Sequence, residues 1–129
     1  MEKAQQELIA KYQMFEQEIQ VTQQQLQSVE QTIINMNSLN VGLDELVGKE
    51  NKEILAPIGR GIFAKAKLIS EELTVDIGGK NFVKKTIPET KELINEQIKK
   101  LEKVRKNLEE TLERIDKELT KTMVEAQGK

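Results

Sequence analysis

The chain has 129 residues and a net charge of -2, with 33% charged residues, 3% aromatic residues, no histidine and no cysteine. So few aromatics among so many charges disfavour a compact core and favour long solvated helices. The missing side chains remove the usual neutral-pH base, the thiolate nucleophile and the common zinc ligands. No apolar run is long enough to span a membrane and MEKAQQELIA has no hydrophobic signal core, so the expectation is a cytoplasmic protein without a membrane partner.

From Met1 to about Leu46 the apolar residues step by four and three. Leu8, Phe15, Thr22, Val29 and Met36 share one seam position, and Tyr12, Ile19, Leu26, Ile33 and Asn40 share the other. This is a heptad seam interrupted at Thr22, and it predicts a coiled-coil helix. The glutamines around it, including Gln23, Gln24 and Gln25, have good helix propensity and read as a solvated face. After Met36 the spacing predicts a shifted phase through Leu39, Leu43 and Leu46, with the helix ending between Val41 and Gly48.

Residues 53–86 break the helical pattern. Ile62, Ala64, Ala66 and Leu68 alternate with Phe63, Lys65 and Lys67, and Leu73, Val75 and Ile77 alternate with Thr74 and Asp76. Period two with turn residues at Gly59-Arg60-Gly61, Ser70-Glu71-Glu72 and Gly78-Gly79-Lys80-Asn81 predicts four strands in two hairpins. Roughly thirty residues of hairpin cannot bury a core of their own. Partner chains are therefore expected to cover Ile62, Ala64, Ala66, Leu68, Val75, Ile77 and Val83, which become the candidate assembly residues. Gly59-Arg60-Gly61-Ile62-Phe63-Ala64 matches a dinucleotide fingerprint, but a strand follows the glycines where the fingerprint needs a helix. No cofactor is expected, and Pro57 predicts a strand edge or bulge.

Thr86 and Glu89 have capping-box spacing around Pro88, which announces a second helix. Ile94, Leu101, Leu108, Ile115 and Thr122 then fall at one seam position, and Ile98, Arg105, Leu112, Leu119 and Ala126 at the other. Val104 is expected to share the packing at Arg105. Glu96 and Lys100, Glu102 and Lys106, Glu110 and Arg114, and Glu113 and Lys117 are four apart in the favourable order, which marks a wet face. Lysines interspersed with acids argue against a nucleic-acid surface. Asp44, Asp76 and Asp116 lie in different elements and form no acid pair, so no catalytic or metal site is expected.

Two stripes of similar length joined by a compact connector cancel by folding back on each other. The predicted fold is α+β: an antiparallel two-helix coiled-coil hairpin with two β-hairpins at one end. It forms a single domain over 1–129, divided into a first helix at 1–48, the assembly region at 49–86 and a second helix at 87–127. The strands then sit at one end and both termini at the other.

That order of elements carries a resemblance. A coiled-coil helix, the strand motif Leu55-Ala56-Pro57-Ile58, two hairpins and VDIGGKNFVKKTIPETKELI (residues 75–94) leading into a second coiled-coil helix resemble the alpha class of prefoldin. The likeness runs over nearly the whole chain, and a beta-class subunit would carry one hairpin. The resemblance implies an ATP-independent holdase in which two alpha and four beta subunits join hairpins into a barrel body. Coiled-coil arms then hold non-native client proteins and pass them to a group II chaperonin. The family has no strict client-contact motif, so only the geometry places the contacts, at the helix ends with Met1, Leu8, Met123, Val124 and Ala126. The competing reading is a structural coiled-coil scaffold that assembles through its hairpins and binds one specific partner.

Overall fold

The computed structural model describes residues 2–127. Helix α1 (Glu2–Leu46) leads into strands β1 (Glu53–Gly59), β2 (Ile62–Lys67), β3 (Leu73–Asp76) and β4 (Phe82–Lys85), and helix α2 (Ile87–Gln127) follows. The strands form two separate antiparallel pairs, β1 with β2 and β3 with β4. The predicted elements and two-hairpin order are all present. The backbone divides into two compact units, one of Met1–Ile33 with Lys100–Lys129 and one of Ile34–Lys99.

In the first unit the heptad pattern is realised residue by residue. Leu8, Tyr12, Phe15, Ile19, Thr22, Leu26, Val29 and Ile33 are withdrawn from solvent on α1, and Leu101, Arg105, Leu108, Leu112, Ile115, Leu119 and Thr122 on α2. Every three-and-four step puts a side chain back on the same stripe, so each helix covers the apolar stripe of the other. Ile115 is the most enclosed of these side chains, 1% exposed. Thr22 does not interrupt the seam, because it is buried in line with its neighbours. Thr122 is buried as well, and its hydroxyl donates to the Glu118 carbonyl at 2.8 Å, which satisfies the polar group inside the helix.

Two details of packing depart from expectation. Val104 is exposed and Arg105 itself takes the seam position, half-buried. Its long stem can cover apolar surface while the guanidinium reaches Glu109 at 3.9 Å in water. Of the four predicted charge pairs, Glu113 with Lys117 closes at 3.3 Å; the other three do not come within ion-pair range among the described residues. Exposed long side chains lose entropy on pairing for little Coulomb gain, so sequence spacing alone does not hold them together.

In the second unit α1 and α2 meet through Met36, Asn40, Leu43, Ile94 and Ile98. The phase does not shift after Met36: Leu43 is buried while Leu39 is exposed, and only Leu46 leaves the three-and-four pattern. Asn40 is what masks this in the sequence, since a polar residue in the seam looks like its end. The Asn40 amide donates to Asn95 Oδ1 at 2.9 Å, and Lys91 pairs with Asp44 one turn away. Gly48, at φ 77°, takes the left-handed position that ends α1. Its N–H donates to Glu71 Oε1 at 3.1 Å, which ties the helix end to the linker between the hairpins.

Candidate functional site

The hairpins follow directly from local chemistry. Arg60 and Gly61 both have positive φ, the requirement of a two-residue type I′ connection, and the register is Ile54 with Ala66, Ala56 with Ala64 and Gly59 with Ile62. The register shifts between Pro57 and Gly59, so the proline sits at a bulge as its chemistry demands. In the second hairpin Asp76 Oδ1 accepts from the Gly78 N–H at 2.8 Å, and the Ile77 N–H donates to the Asn81 carbonyl at 2.9 Å. Gly78, Gly79 and Lys80 all carry positive φ in that turn.

These registers sort the candidate assembly residues by face. Ile54, Ala56, Ala64 and Ala66 share one face of the first hairpin, and Leu73, Val75 and Val83 share one face of the second. Ala66, Leu68, Val75 and Val83 are half-buried within the chain, whereas Ala64 is exposed, as are Ile62 at 63% and Ile77 at 59%. Leu68 and Ile77 lie just outside the strands, although backbone hydrogen bonds to Lys52 and Asn81 continue the pairing through them. Sequence alternation missed a second set: Leu55, Ile58, Phe63, Ile69 and Phe82 are exposed too. Leu55, Pro57 and Phe63 occupy the opposite face of the first hairpin, which is thus apolar on both sides apart from Glu53, Lys65 and Lys67. Leu55 and Phe63 were legible only as gaps in the alternation, because lysine neighbours made that face read as polar.

The second candidate surface lies in the first unit, where the start of α1 and the end of α2 come together. Ala4, Gln5, Glu7, Leu8, Lys11, Thr122, Glu125 and Ala126 line a cleft of about 480 Å³. Leu8 is half-buried and Ala126 exposed; Met123 and Val124 stand in solvent outside the cleft, 47% and 63% exposed. Met1 lies outside the described residues. Ile9 and Met14 add exposed apolar surface on α1 that the heptad reading passed over, since neither belongs to the seam.

Electrostatics point to structure rather than chemistry. Glu89 Oε1 accepts from the Thr86 N–H at 3.0 Å and Thr86 Oγ1 accepts from the Glu89 N–H at 3.2 Å, a complete capping box at the start of α2. The backbone hydrogen bond from Thr86, then its side-chain bond, holds the Glu89 carboxyl below its usual range. Among the described residues no three acidic, histidine or cysteine side chains are grouped to hold a metal ion. No helix among them is long and apolar enough to cross a membrane.

Two contacting long helices with paired hairpins between them, exposed apolar hairpin faces and a cleft between helix ends flanked by exposed apolar side chains define a coiled-coil subunit built to associate. The family model for prefoldin subunits matches residues 1–129, and the chain belongs to the prefoldin family, on the alpha-subunit side. It is 34% identical over 97 residues to the prefoldin subunit alpha of Methanobrevibacter smithii, covering 74% of this chain and 66% of that one. It is 25% identical over 114 residues to prefoldin subunit alpha 1 of Methanocaldococcus jannaschii, covering 84% and 80%. With the alpha subunit of Methanospirillum hungatei it shares 31% over 103 residues, covering 79% and 69%. The chain thus spans about two-thirds to four-fifths of these relatives' lengths. In fold it is similar to a filamentous PFD from Methanocaldococcus jannaschii solved by cryo-electron microscopy, with a TM-score of 0.78 at 19% identity over 90% of this chain and 98% of that one. Prefoldin is a family of non-enzymatic chaperones, and membership implies assembly with other prefoldin subunits.

Proposed function

We propose that this chain is the alpha subunit of a cytoplasmic, ATP-independent holdase. Two copies join four beta-class subunits through their hairpins, the helix ends hold non-native proteins, and the cargo passes to a group II chaperonin. Residues 1–129 act in this as one domain. Assembly through Ile62, Ala64, Ala66, Leu68, Val75, Ile77 and Val83 is supported by the exposure of Ile62, Ala64 and Ile77, and by the incomplete burial of the other four, on hairpins too small to cover themselves.

Client binding is carried by one observation: at the paired helix ends Leu8 and Ala126 line a cleft while Met123 and Val124 remain exposed beside it. Met1 joins them by chain order. Each buried apolar side chain contributes roughly 1 to 3 kcal/mol before ordering costs, so one helix pair binds weakly. Several pairs on one body make later contacts intramolecular, and avidity then retains a client while each contact still exchanges. Methionine suits such a surface because its flexible thioether adapts to varied apolar shapes.

The test is deletion of residues 1–6 together with 123–129. The truncated subunit is expected to assemble normally and to lose most of its suppression of aggregation for several unrelated unfolded proteins at near-stoichiometric ratios. Undiminished protection by the truncated assembly would move client binding away from the helix ends. A full-length assembly that ignores all unfolded proteins would favour the structural scaffold.

A further inference from the structure

Methionine supplies all the sulfur of this chain, which has four methionines and no cysteine. The three that lie among the described residues fall into two environments. Met36 is half-buried in the seam, the usual place for a methionine at helical spacing. Met14 and Met123 lie outside the seam, 60% and 47% exposed, on helix surface that is otherwise largely charged or amide.

Each exposed methionine borders a cleft. Met123 follows Thr122, which lines the cleft at the helix ends together with Leu8. Ile9 follows Leu8 in the same way and is 57% exposed, so Ile9 and Met123 share one flank of the antiparallel pair. Met14 lines a second cleft, of about 450 Å³, with Val21; its other walls are polar apart from Ile115. Val21 is one heptad from Met14 and 48% exposed, which puts both on one side of α1. Lys11, in the wall of the first cleft, comes about one turn before Met14, so the Met14 thioether continues the apolar surface along the helix.

We infer that Met14 and Met123 are reversible oxidation sites at which hydrogen peroxide switches off the holding of unfolded proteins. This rests on the client reading above. The thioether sulfur attacks one peroxide oxygen as the O–O bond breaks; sulfur is oxidised to the sulfoxide, peroxide is reduced, and water leaves. A pliable apolar contact becomes a polar one, and a client's apolar side chain covers the new S=O oxygen without giving it a hydrogen bond. A dithiol reductase reverses the step: its two thiols supply the electrons and end as a disulfide, and the oxygen leaves as water. Met36 is shielded in the seam, so the pairing of the helices survives the peroxide exposure that oxidises the other two.

The full-length chain is assembled with a recombinant archaeal beta-class prefoldin subunit, treated with hydrogen peroxide and quenched with catalase, and suppression of aggregation is compared before and after treatment. Peptide mass spectrometry is expected to show Met14 and Met123 oxidised roughly tenfold or more faster than Met36. Wild type should lose most of its suppression and regain it with methionine sulfoxide reductases and a thiol reductant. Met14→Leu/Met123→Leu, which leaves Met1 and any methionine of the partner subunit in place, should hold its own untreated level after peroxide. Met14→Gln/Met123→Gln, polar without oxidation, should be impaired before any treatment. Equally fast oxidation of Met36, undiminished suppression by wild type oxidised at both positions, irreversible loss, equal loss in the leucine variant or full suppression by the glutamine variant overturns the inference and leaves the client reading intact. An untreated wild-type assembly that ignores unfolded proteins overturns both.

Discussion

Ile115 and Ile62 carry the same side chain in opposite circumstances. Ile115, in the helical seam, is 1% exposed and Ile62, on the first hairpin, is 63% exposed. The seam is completed inside the chain because each helix offers the other a stripe of matching period. The hairpins have no such complement, and β1–β2 presents apolar side chains on both faces. One region stores the stability of the subunit, and the other carries the exposed apolar surface that we propose for assembly.

The comparison is broken most severely by a pair of alanine substitutions. Ile115→Ala should cost about 2 to 5 kcal/mol of stability through lost burial and the cavity left behind, read as a lower thermal midpoint by circular dichroism. Ile62→Ala should change the isolated subunit by no more than about 0.5 kcal/mol, as expected of an exposed site, yet weaken the oligomer in light scattering. Aspartates at Ile62, Val75 and Ile77 together should dissociate the assembly with helicity retained. An intact oligomer carrying all three aspartates would remove the hairpins from the interface.

Asn40 sharpens the contrast from within the seam. Its Oδ1 is buried without a hydrogen-bond partner while its amide serves Asn95. Asn40→Leu should therefore raise the stability of the subunit by about 1 to 2 kcal/mol. A polar residue in a coiled-coil seam fixes register at a cost in stability. The same variant should thus permit slipped helix pairing, detected as new products when cysteines introduced across the seam are crosslinked. A less stable variant would mean that the Asn40–Asn95 bond outweighs the unpaired oxygen.

The smallest effects belong to the start of α2, where hairpin and helix join. Thr86→Ala should cost about 1 kcal/mol, typical of a lost cap. Glu89 is held below its usual pKa in the folded state, so its contribution is present above the ordinary carboxylate range and lost as pH falls through the depressed value. Glu89→Gln, which can still accept from the Thr86 N–H but has no charge to lose, should lower stability slightly at neutral pH and flatten the acid side of the profile by the same amount. An unaltered acid limb would assign that pH dependence to other carboxylates.

Much of this protein is legible in its sequence because its elements are periodic. A heptad places Leu8 to Asn40 and Ile94 to Thr122 on their stripes whatever lies around them, and Thr86 with Glu89 closes a cap that needs only four consecutive residues. Glycines and Arg60 at positive φ set both hairpin turns locally. Other features depend on neighbours distant in sequence. Whether Val104 or Arg105 enters the seam, and whether Leu39 or Asn40 continues it, is settled by which side chain faces the opposite helix. Leu55 and Phe63 share a second apolar face only because the register and the bulge at Pro57 bring them to the same side of the sheet. The cleft of Leu8 and Ala126 joins residues from the two helix ends. Periodicity states which way a side chain points along its own element; only packing between elements decides what it meets there.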